Sequence, residues 1–269
     1  MKYKVMVFDI DGTLVDDNHG FSDFTREVIK ELYDKGVILG LASGRTIGQL
    51  KGHAKEWGLE NYFKVLIALN GASLYDGIND KTYDFFKLKR EWIKEIIEKM
   101  QIYHNEARCH IYNDELTMFF EDDEDYKNYM LSGRKVIAAK TIDDMCQYEV
   151  PKVLFKTELE KSDEIEEYAK TICNENYEVV RTQPIYIEFM PKGCTKAYSL
   201  MRFLEIHGIK NESVASFGDT SNDNEMLKIS GLGVCLANGS DDTKRIADVI
   251  TEYDNNHDGL ARYIKENLL

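Results

Sequence analysis

The chain has 269 residues, of which 43% are hydrophobic, and this composition is ordinary for a globular protein with one large domain or two modest ones. Its 34 basic and 48 acidic residues give a net charge of -14, which disfavours binding to nucleic acid or to anionic lipid. The five cysteines are odd in number and form no CxxC pair, so neither a disulfide framework nor a zinc cluster is expected. Because no apolar stretch approaches the roughly 20 residues that span a bilayer, we expect a cytoplasmic protein with reduced thiols.

The first third of the chain alternates strand and helix signals. Apolar runs predict strands over residues 3–8, 37–42 and 65–69. Two helices are predicted between them, one capped by Ser22 and ended by Gly36, the other over residues 46–57. Short joins between alternating strands and helices predict right-handed crossovers and a parallel sheet.

The pattern changes between about residue 80 and residue 190, where aromatic residues, lysine and glutamate are frequent. One-sided apolar spacing predicts helices over residues 92–100 and 165–172. Strands are predicted over residues 111–120, 152–157 and 185–190. This is an α+β module within the chain, and its acidic run at 121–125 is interpreted as solvated charge.

After residue 190 the α/β pattern resumes. Helices are predicted over residues 195–207, 222–229 and 241–247, and strands over residues 214–217, 232–237 and 248–251. The predicted fold is therefore α/β, with a Rossmann-like core formed by residues 1–80 and 190–269. Residues 81–189 would form an inserted α+β domain.

Two carboxylates, those of Asp9 and Asp11, directly follow the first apolar strand. They repel each other unless a cation lies between them or one of them takes a proton. Strand alternation would point both side chains the same way. An apolar strand that ends in this manner places the pair at the carboxyl edge of an α/β sheet, where ligands usually bind. The segment therefore predicts a divalent metal, an anionic substrate and a reactive carboxylate.

Four loops of this kind stand at strand ends or at a helix start. They are Asp9-Ile10-Asp11-Gly12-Thr13, Ser43-Gly44-Arg45, Gly193-Cys194-Thr195-Lys196 and Gly218-Asp219-Thr220-Ser221-Asn222-Asp223. The set resembles the four signature motifs of the haloacid dehalogenase superfamily. The insert between the second and third motifs resembles the large α/β (C2B-like) cap of the Cof-type phosphatases. The segments at 233–238, 247–251 and 257–260 are similar to that family's closing pattern.

The resemblance implies a Mg²⁺ site and two catalytic carboxylates. Asp9 would attack phosphorus and also touch the metal, because covalent catalysis splits one difficult displacement into two easier ones. Asp11 would bind the metal through its backbone carbonyl and use its carboxyl as the general acid and base. Asp219 would complete the metal ligands. Asp223 would hold Lys196 or a metal-bound water.

The remaining motif residues would surround the transferred phosphate, whose oxygens need donors and cations. The implied phosphate-binding groups are Ile10 (its amide), Ser43, Gly44 (its amide), Lys196 and Asn222. Gly12 would let the backbone approach the phosphate, and Thr13 would order the turn.

Each of these residues also has a structural interpretation. Ser43 could cap a helix, and Lys196 could be a solvated helix lysine. Asp219 and Asp223 could cap the helix predicted near residue 222. Arg45 is interpreted as one half of a structural salt bridge. The histidines lack ligand spacing and are assigned to surface or packing positions, although His19 lies in a loop that could face the site.

The function implied by the resemblance is a Mg²⁺-dependent phosphatase, a phosphoric monoester hydrolase, acting on small phosphomonoesters through an aspartyl phosphate. Sugar phosphates and phosphorylated cofactors are the implied substrates. A phosphomutase or phosphotransferase on the same core, or a non-catalytic protein that binds a phosphometabolite, are the alternatives. The expected partner is a small phosphorylated metabolite, with no nucleic acid and no membrane, and the protein would be a monomer or weak homo-oligomer. Aromatic residues of the insert would form a substrate roof or pack onto its helices: Tyr103, Tyr112, Phe119, Phe120, Tyr186 and Phe189.

Overall fold

The computed structural model describes residues 2–112, 116–121 and 135–269. The chain divides into two compact units, which are Met1–Phe85 with Thr195–Leu269, and Phe86–Cys194. These bounds lie a few residues after those expected from the sequence, and the assignment of 81–189 as a domain stays a prediction. Across the described ranges, no helix combines the length and the apolar character that a bilayer span requires.

The strands of the described residues are, in chain order, β1 (Val5–Phe8), β2 (Ile38–Ala42), β3 (Phe63–Ala68), β4 (Ser73–Asp76), β5 (Lys81–Asp84), β6 (Ala107–Tyr112), β7 (Leu116–Phe120), β8 (Lys135–Ala139), β9 (Val153–Thr157), β10 (Tyr177–Gln183), β11 (Tyr186–Pro191), β12 (Val214–Gly218), β13 (Leu232–Cys235) and β14 (Val249–Ile250). The helices are α1 (Asp23–Asp34), α2 (Ile47–Glu56), α3 (Arg90–Met100), α4 (Ile142–Met145), α5 (Ser162–Thr171), α6 (Lys196–His207), α7 (Asn224–Ile229), α8 (Asp241–Ile246) and α9 (Gly259–Asn267).

The first unit is built on an eight-stranded sheet with the order β14-β13-β12-β1-β2-β3-β4-β5. Its strands from β14 to β3 are parallel, which confirms the predicted α/β fold with a parallel sheet. The last two strands on one side of the sheet, β4 and β5, are antiparallel and were not predicted. The chain reverses after β3 because Asn70 (φ 56°) and Gly71 (φ 104°) both adopt left-handed backbone conformations.

The helices α1 and α6 belong to the same unit as this sheet, and their start and packing follow from local sequence features. The helix α1 begins at Ser22, whose hydroxyl accepts from the amide of Thr25, as the sequence predicted. Val5 and Val7 of β1 share one apolar core cluster with Leu200 and Phe203 of α6. Apolar side chains of α6 therefore cover this part of the sheet.

The second unit is a six-stranded sheet with the order β10-β11-β9-β6-β7-β8. Its neighbours are antiparallel apart from the parallel pair β7 and β8. Apolar residues of α3 and α5 share one core with the sheet. The aromatic residues Tyr103, Phe120 and Phe189 contact that core, so for these three the packing interpretation holds.

Two sequence expectations fall partly outside the described residues. The single strand predicted over 111–120 is two paired strands, β6 and β7, and residues 113–115 between them are not described. Of the acidic run at 121–125, only Glu121 is described. The strands β8 and β10 and the helices α4 and α9 were not predicted.

Candidate active site

The candidate site lies where four neighbouring parallel strands of the first unit end. The strand order reverses at β1, because β2 and β3 follow it on one side while β12 lies on the other. Such a reversal is where open α/β sheets bind ligands. Backbone hydrogen bonds continue past the strands, from Asp9 N to Phe217 O (3.0 Å) and from Ser43 N to Ile67 O (2.9 Å). The sheet thus brings the first, second and fourth motifs together.

The turn after β1 is closed by its own backbone and by Asp219. The carbonyl of Ile10 accepts from the amides of Thr13 (3.3 Å) and Leu14 (3.0 Å). Gly12 has φ 82°, and a Cβ there would collide with the Asp219 carboxylate. The Thr13 hydroxyl donates to Asp219 Oδ1 at 3.0 Å. Gly12 and Thr13 therefore dock the first motif against the fourth.

Lys196 links the third motif to the first and the fourth. It is the first residue of α6, following the cap Thr195, and its side chain is fully buried. Its ammonium lies 2.6 Å from Asp9 Oδ1 and 2.6 Å from Asp223 Oδ1. The alternative of a solvated helix lysine is therefore wrong, and Lys196 contacts Asp223, which is one of the two partners expected for that carboxylate.

Asp223 has two roles in the structure. While one of its oxygens contacts Lys196, the other accepts from the amides of Asp219 (3.1 Å) and Thr220 (3.3 Å). The capping interpretation of Asp223 is thus partly right, because its carboxylate closes the turn ahead of α7. This arrangement fixes the Asp219 backbone beside the buried lysine.

The electrostatics of this cluster are dominated by burial. Burial raises the pKa of Asp9 well above its usual range, and the charge of Lys196 opposes that rise. Burial and the neighbouring Asp223 raise the pKa of Asp219 to about 7. For Lys196, burial works against the charged form, but Asp223 and Asp9 outweigh it and the pKa is raised. One ammonium therefore contacts two buried acidic side chains, and a third, Asp219, lies close to them.

This donor set fits a divalent cation. Among the described residues, carboxylate oxygens of Asp9, Asp219 and Asp223 lie within 4.8 Å of one another, and all three residues are buried. Hard cations such as Mg²⁺ prefer oxygen ligands, and a cation would relieve the surplus negative charge. The Asp11 carboxylate does not belong to this group, whereas Asp223 does. The implied metal contact through the Asp11 carbonyl stays a prediction.

The carboxylate of Asp11 is instead held by Arg45. Its Oδ2 accepts from Arg45 Nε at 3.0 Å, and its Oδ1 accepts from Arg45 Nη2 at 2.6 Å. The salt bridge expected of Arg45 is present, and its partner is one of the two motif carboxylates. The ring of His19 also approaches, with Nδ1 3.4 Å from Asp11 Oδ1.

The second motif is shaped by its own backbone and by β3. The Ser43 hydroxyl accepts from the amide of Arg45 at 3.3 Å. Ser43 is not the helix cap, because Thr46 caps α2 by accepting from Gln49 N (3.3 Å). Gly44 lies so close to the Asn70 amide group that an added Cβ would be 3.3 Å from Asn70 Oδ1.

Asn70 is a site residue that the sequence reasoning missed. Its side chain is buried, with Asn70 only 1% exposed. Its backbone amide donates to Ser43 O at 3.0 Å, and its side-chain Oδ1 accepts from Asn222 Nδ2 at 3.2 Å. It therefore links the second motif to the fourth. The available signal was its position, since Asn70-Gly71 follows an apolar strand as the recognised motifs do.

Comparison with known proteins assigns the chain to a family. A model of the family described as haloacid dehalogenase-like hydrolase matches residues 6–264. The chain belongs to this family. The recognition from the four motifs is therefore confirmed, and with it the prediction of an enzyme of the phosphoric monoester hydrolase class.

Individual relatives cover almost the whole chain. YcsE of Bacillus subtilis (strain 168), named 5-amino-6-(5-phospho-D-ribitylamino)uracil phosphatase, is 29% identical over 268 residues, covering 99% of this chain and 96% of the relative. A haloacid dehalogenase-like hydrolase from Bacteroides thetaiotaomicron has a TM-score of 0.82 at 26% identity, with 98% of each chain covered. The HAD subclass IIB sugar phosphatase BT4131 has a TM-score of 0.79 at 23% identity, covering 97% of this chain and 98% of that one, and shows the shared fold.

Proposed function

We propose that this protein is a Mg²⁺-dependent phosphatase that hydrolyses small phosphomonoesters through an aspartyl phosphate on Asp9. The observation that supports this most directly is the buried carboxylate of Asp9, held by Lys196 beside Asp219 and Asp223. A nucleophilic carboxylate must be ionised and aimed, and the buried ammonium favours both. The family relationship agrees with this assignment.

In the first step, one oxygen of Asp9 bonds to phosphorus while the bond from phosphorus to the leaving oxygen breaks. The Asp11 carboxyl gives its proton to that leaving oxygen, so a neutral alcohol departs. Ser43, the amides of Ile10 and Gly44, Lys196 and Asn222 would donate to the phosphoryl oxygens as charge builds on them.

In the second step, the Asp11 carboxylate takes a proton from water as the water oxygen bonds to phosphorus. The bond between phosphorus and Asp9 then breaks, which restores the Asp9 carboxylate and releases inorganic phosphate. Asp11 ends this step protonated and ready for the next substrate, so the two steps balance.

Asp9 and Asp219 would hold Mg²⁺, together with the backbone carbonyl of Asp11, and Asp223 would support them through Lys196. The bound ion would supply positive charge for the phosphoryl oxygens and for the buried carboxylates. The chain's own residues carry the covalent bond and both proton transfers.

The decisive experiment compares Asp9→Asn with the wild-type protein in a phosphate-release assay. Asn keeps the shape of the side chain but is a poor nucleophile, so turnover should fall by at least ~10⁴-fold. Asp34→Asn, at the exposed end of α1, is the matched control and should keep full activity. The melting temperatures of both variants report whether they are folded. Retained turnover in folded Asp9→Asn would rule the mechanism out.

The substrate class follows from a screen of phosphorylated metabolites, each supplied alone with Mg²⁺. We expect sugar phosphates or phosphorylated cofactors to release inorganic phosphate. The panel should include 5-amino-6-(5-phospho-D-ribitylamino)uracil because the name of the related YcsE specifies that substrate. Release of phosphate without any acceptor distinguishes a phosphatase from a phosphomutase, and binding without release would indicate a non-catalytic protein.

A further inference from the structure

Asp9 and Asp11 are held in different ways although one residue separates them. Asp9 is buried and fixed by an ammonium, whereas the side chain of Asp11 is 28% exposed. A partly exposed carboxyl on a turn is free to rotate about two side-chain bonds unless a partner restrains it. Arg45 is such a partner, because its Nε and Nη2 donate to the two different oxygens of Asp11 at 3.0 and 2.6 Å.

Arg45 is itself anchored to two strands of the sheet. Its carbonyl accepts from the amide of Leu69 at 2.9 Å, just after β3, and its amide donates to the Ser43 hydroxyl at 3.3 Å, just after β2. The planar fork of a guanidinium fixes both the direction and the plane of a carboxylate that it grips through two hydrogen bonds. The orientation of Asp11 is therefore set from β2 and β3 rather than from its own strand.

His19 approaches the same carboxylate from the turn after β1, with Nδ1 3.4 Å from Asp11 Oδ1. That turn is braced by Asp16, whose Oδ1 accepts from the amides of Asn18 (2.8 Å) and Gly20 (2.7 Å). Since the His19 side chain is 69% exposed, we infer that it restrains the Asp11 carboxylate less than Arg45 does.

We propose that Arg45 is a positioning residue that orients the Asp11 carboxyl for proton transfer to the leaving oxygen, an inference that rests on the proposed function. A carboxylate offers about four lone-pair sites, so the two hydrogen bonds from Arg45 leave room for the proton that is transferred. Proton transfer depends steeply on geometry, and a misplacement of about 1 Å can cost ~10²-fold in rate. Loss of the fork should therefore slow those reactions whose leaving group needs a proton.

Two aryl phosphates of nearly the same shape distinguish the positioning of Asp11 from a role of Arg45 in phosphate binding or in the fold. p-Nitrophenolate leaves without a proton at neutral pH, whereas the more basic phenolate of phenyl phosphate benefits from one. The assay measures release of each phenol in a single turnover with enzyme in excess, which isolates the first step. In Arg45→Gln, the rate with phenyl phosphate should fall ~10²-fold, whereas the rate with p-nitrophenyl phosphate should fall less than about 3-fold. The ratio of the two rates does not depend on how much of the variant is folded.

Arg45→Lys tests whether charge alone is sufficient. Lysine keeps the positive charge but lacks the fork, so its rate ratio should stay within about 3-fold of that of Arg45→Gln. The matched control is Arg26→Gln, in the same unit, whose arginine is 30% exposed and pairs with Asp23 and the carbonyl of Trp57. Its rate ratio should equal that of the wild type.

The possible outcomes are distinct. An equal fall with both substrates in Arg45→Gln would assign Arg45 to phosphate binding or to the fold and overturn the inference. Full rescue of the ratio by Arg45→Lys would overturn it too, since charge alone would then be sufficient. Absence of turnover in the wild-type protein with every phosphate ester would instead be the failure of the proposed function, and this inference would fall with it.

Discussion

One buried lysine in each unit lies 2.6 Å from a carboxylate oxygen, yet the two surroundings differ. In the first unit, Lys196 contacts Asp9 and Asp223, with Asp219 close by. In the second unit, Lys152 contacts Glu188, and its ammonium lies 4.8 Å from the ring centre of Tyr112. Within the part of the chain that the structure describes, the first group has three acids and one base, whereas in the second one acid contacts one base.

That difference in charge separates a candidate reaction centre from a balanced ion pair. Burial works against the charged form of Lys152, but the neighbouring Glu188 outweighs it and the pKa of Lys152 is raised. In the first unit, burial raises the pKa of Asp219 to about 7, because one ammonium cannot offset three carboxylates. Surplus buried charge of this kind is costly without a cation, and strongly shifted pKa values cluster at functional sites.

The largest effect that this comparison predicts is on turnover. Lys196→Met removes the only ammonium that contacts Asp9 in the structure as described, so kcat/KM for a phosphomonoester should fall by ~10³-fold or more. Lys228→Met, on the exposed side of α7, is the matched control and should keep wild-type activity. Steady-state phosphate release at saturating Mg²⁺ measures both. A fall of less than about 10-fold would remove Lys196 from the proposed catalytic groups.

A second prediction concerns stability and the balanced pair. Lys152→Met should lower the free energy of unfolding by about 3 kcal/mol, because it leaves Glu188 buried without its 2.6 Å partner. The double variant Lys152→Met, Glu188→Leu should recover to within about 1 kcal/mol of the wild type, because apolar side chains then replace both charges of the pair. Urea unfolding with and without Mg²⁺ makes the measurement. Recovery of the single variant by Mg²⁺ would contradict the assignment of this pair as balanced and independent of metal.

Much of the fold could be predicted because apolar runs and caps are local signals. Ser22 and Thr46 stand where two helices were expected to begin, and the strands that end just before Asp9 and Asp219 occur as predicted. The antiparallel strands β4 (Ser73–Asp76) and β5 (Lys81–Asp84) were missed because polar residues interrupt both of them. Neither forms a continuous apolar run such as the one that marks β1, which is also four residues long.

The sequence predicted which loops form the candidate site, but it did not predict which side chains contact each other there. Position in the sequence places Arg45 in the second motif, but the direction of its guanidinium depends on a turn 34 positions earlier. Asn70 was missed for a related reason, since its role depends on Asn222, 152 positions later. Pairings over such distances follow from strand order, and local periodicity carries no information about them.

The smallest predicted effect is a dependence of Mg²⁺ binding on pH. In the metal-free protein the pKa of Asp219 is about 7, raised from an ordinary value of 3.8 by burial and by Asp223. A raised pKa in the folded state contributes stability below about pH 4, and this contribution is lost as the pH rises through about 7. Since Mg²⁺ binds only the ionised carboxylate, protons and Mg²⁺ compete for the same group.

Mg²⁺ should therefore raise the melting temperature more at about pH 8 than at about pH 5.5, by several degrees when the ion is at ~100-fold excess over its Kd. Thermal unfolding followed by intrinsic fluorescence, with and without MgCl₂ at each pH, measures the shift. Asp219→Asn cannot ionise at this position, so its shift should be small and should vary much less with pH. An equal shift at both values of pH in the wild type would mean that the ion binds away from Asp219, and the surplus of buried acids would then need another explanation.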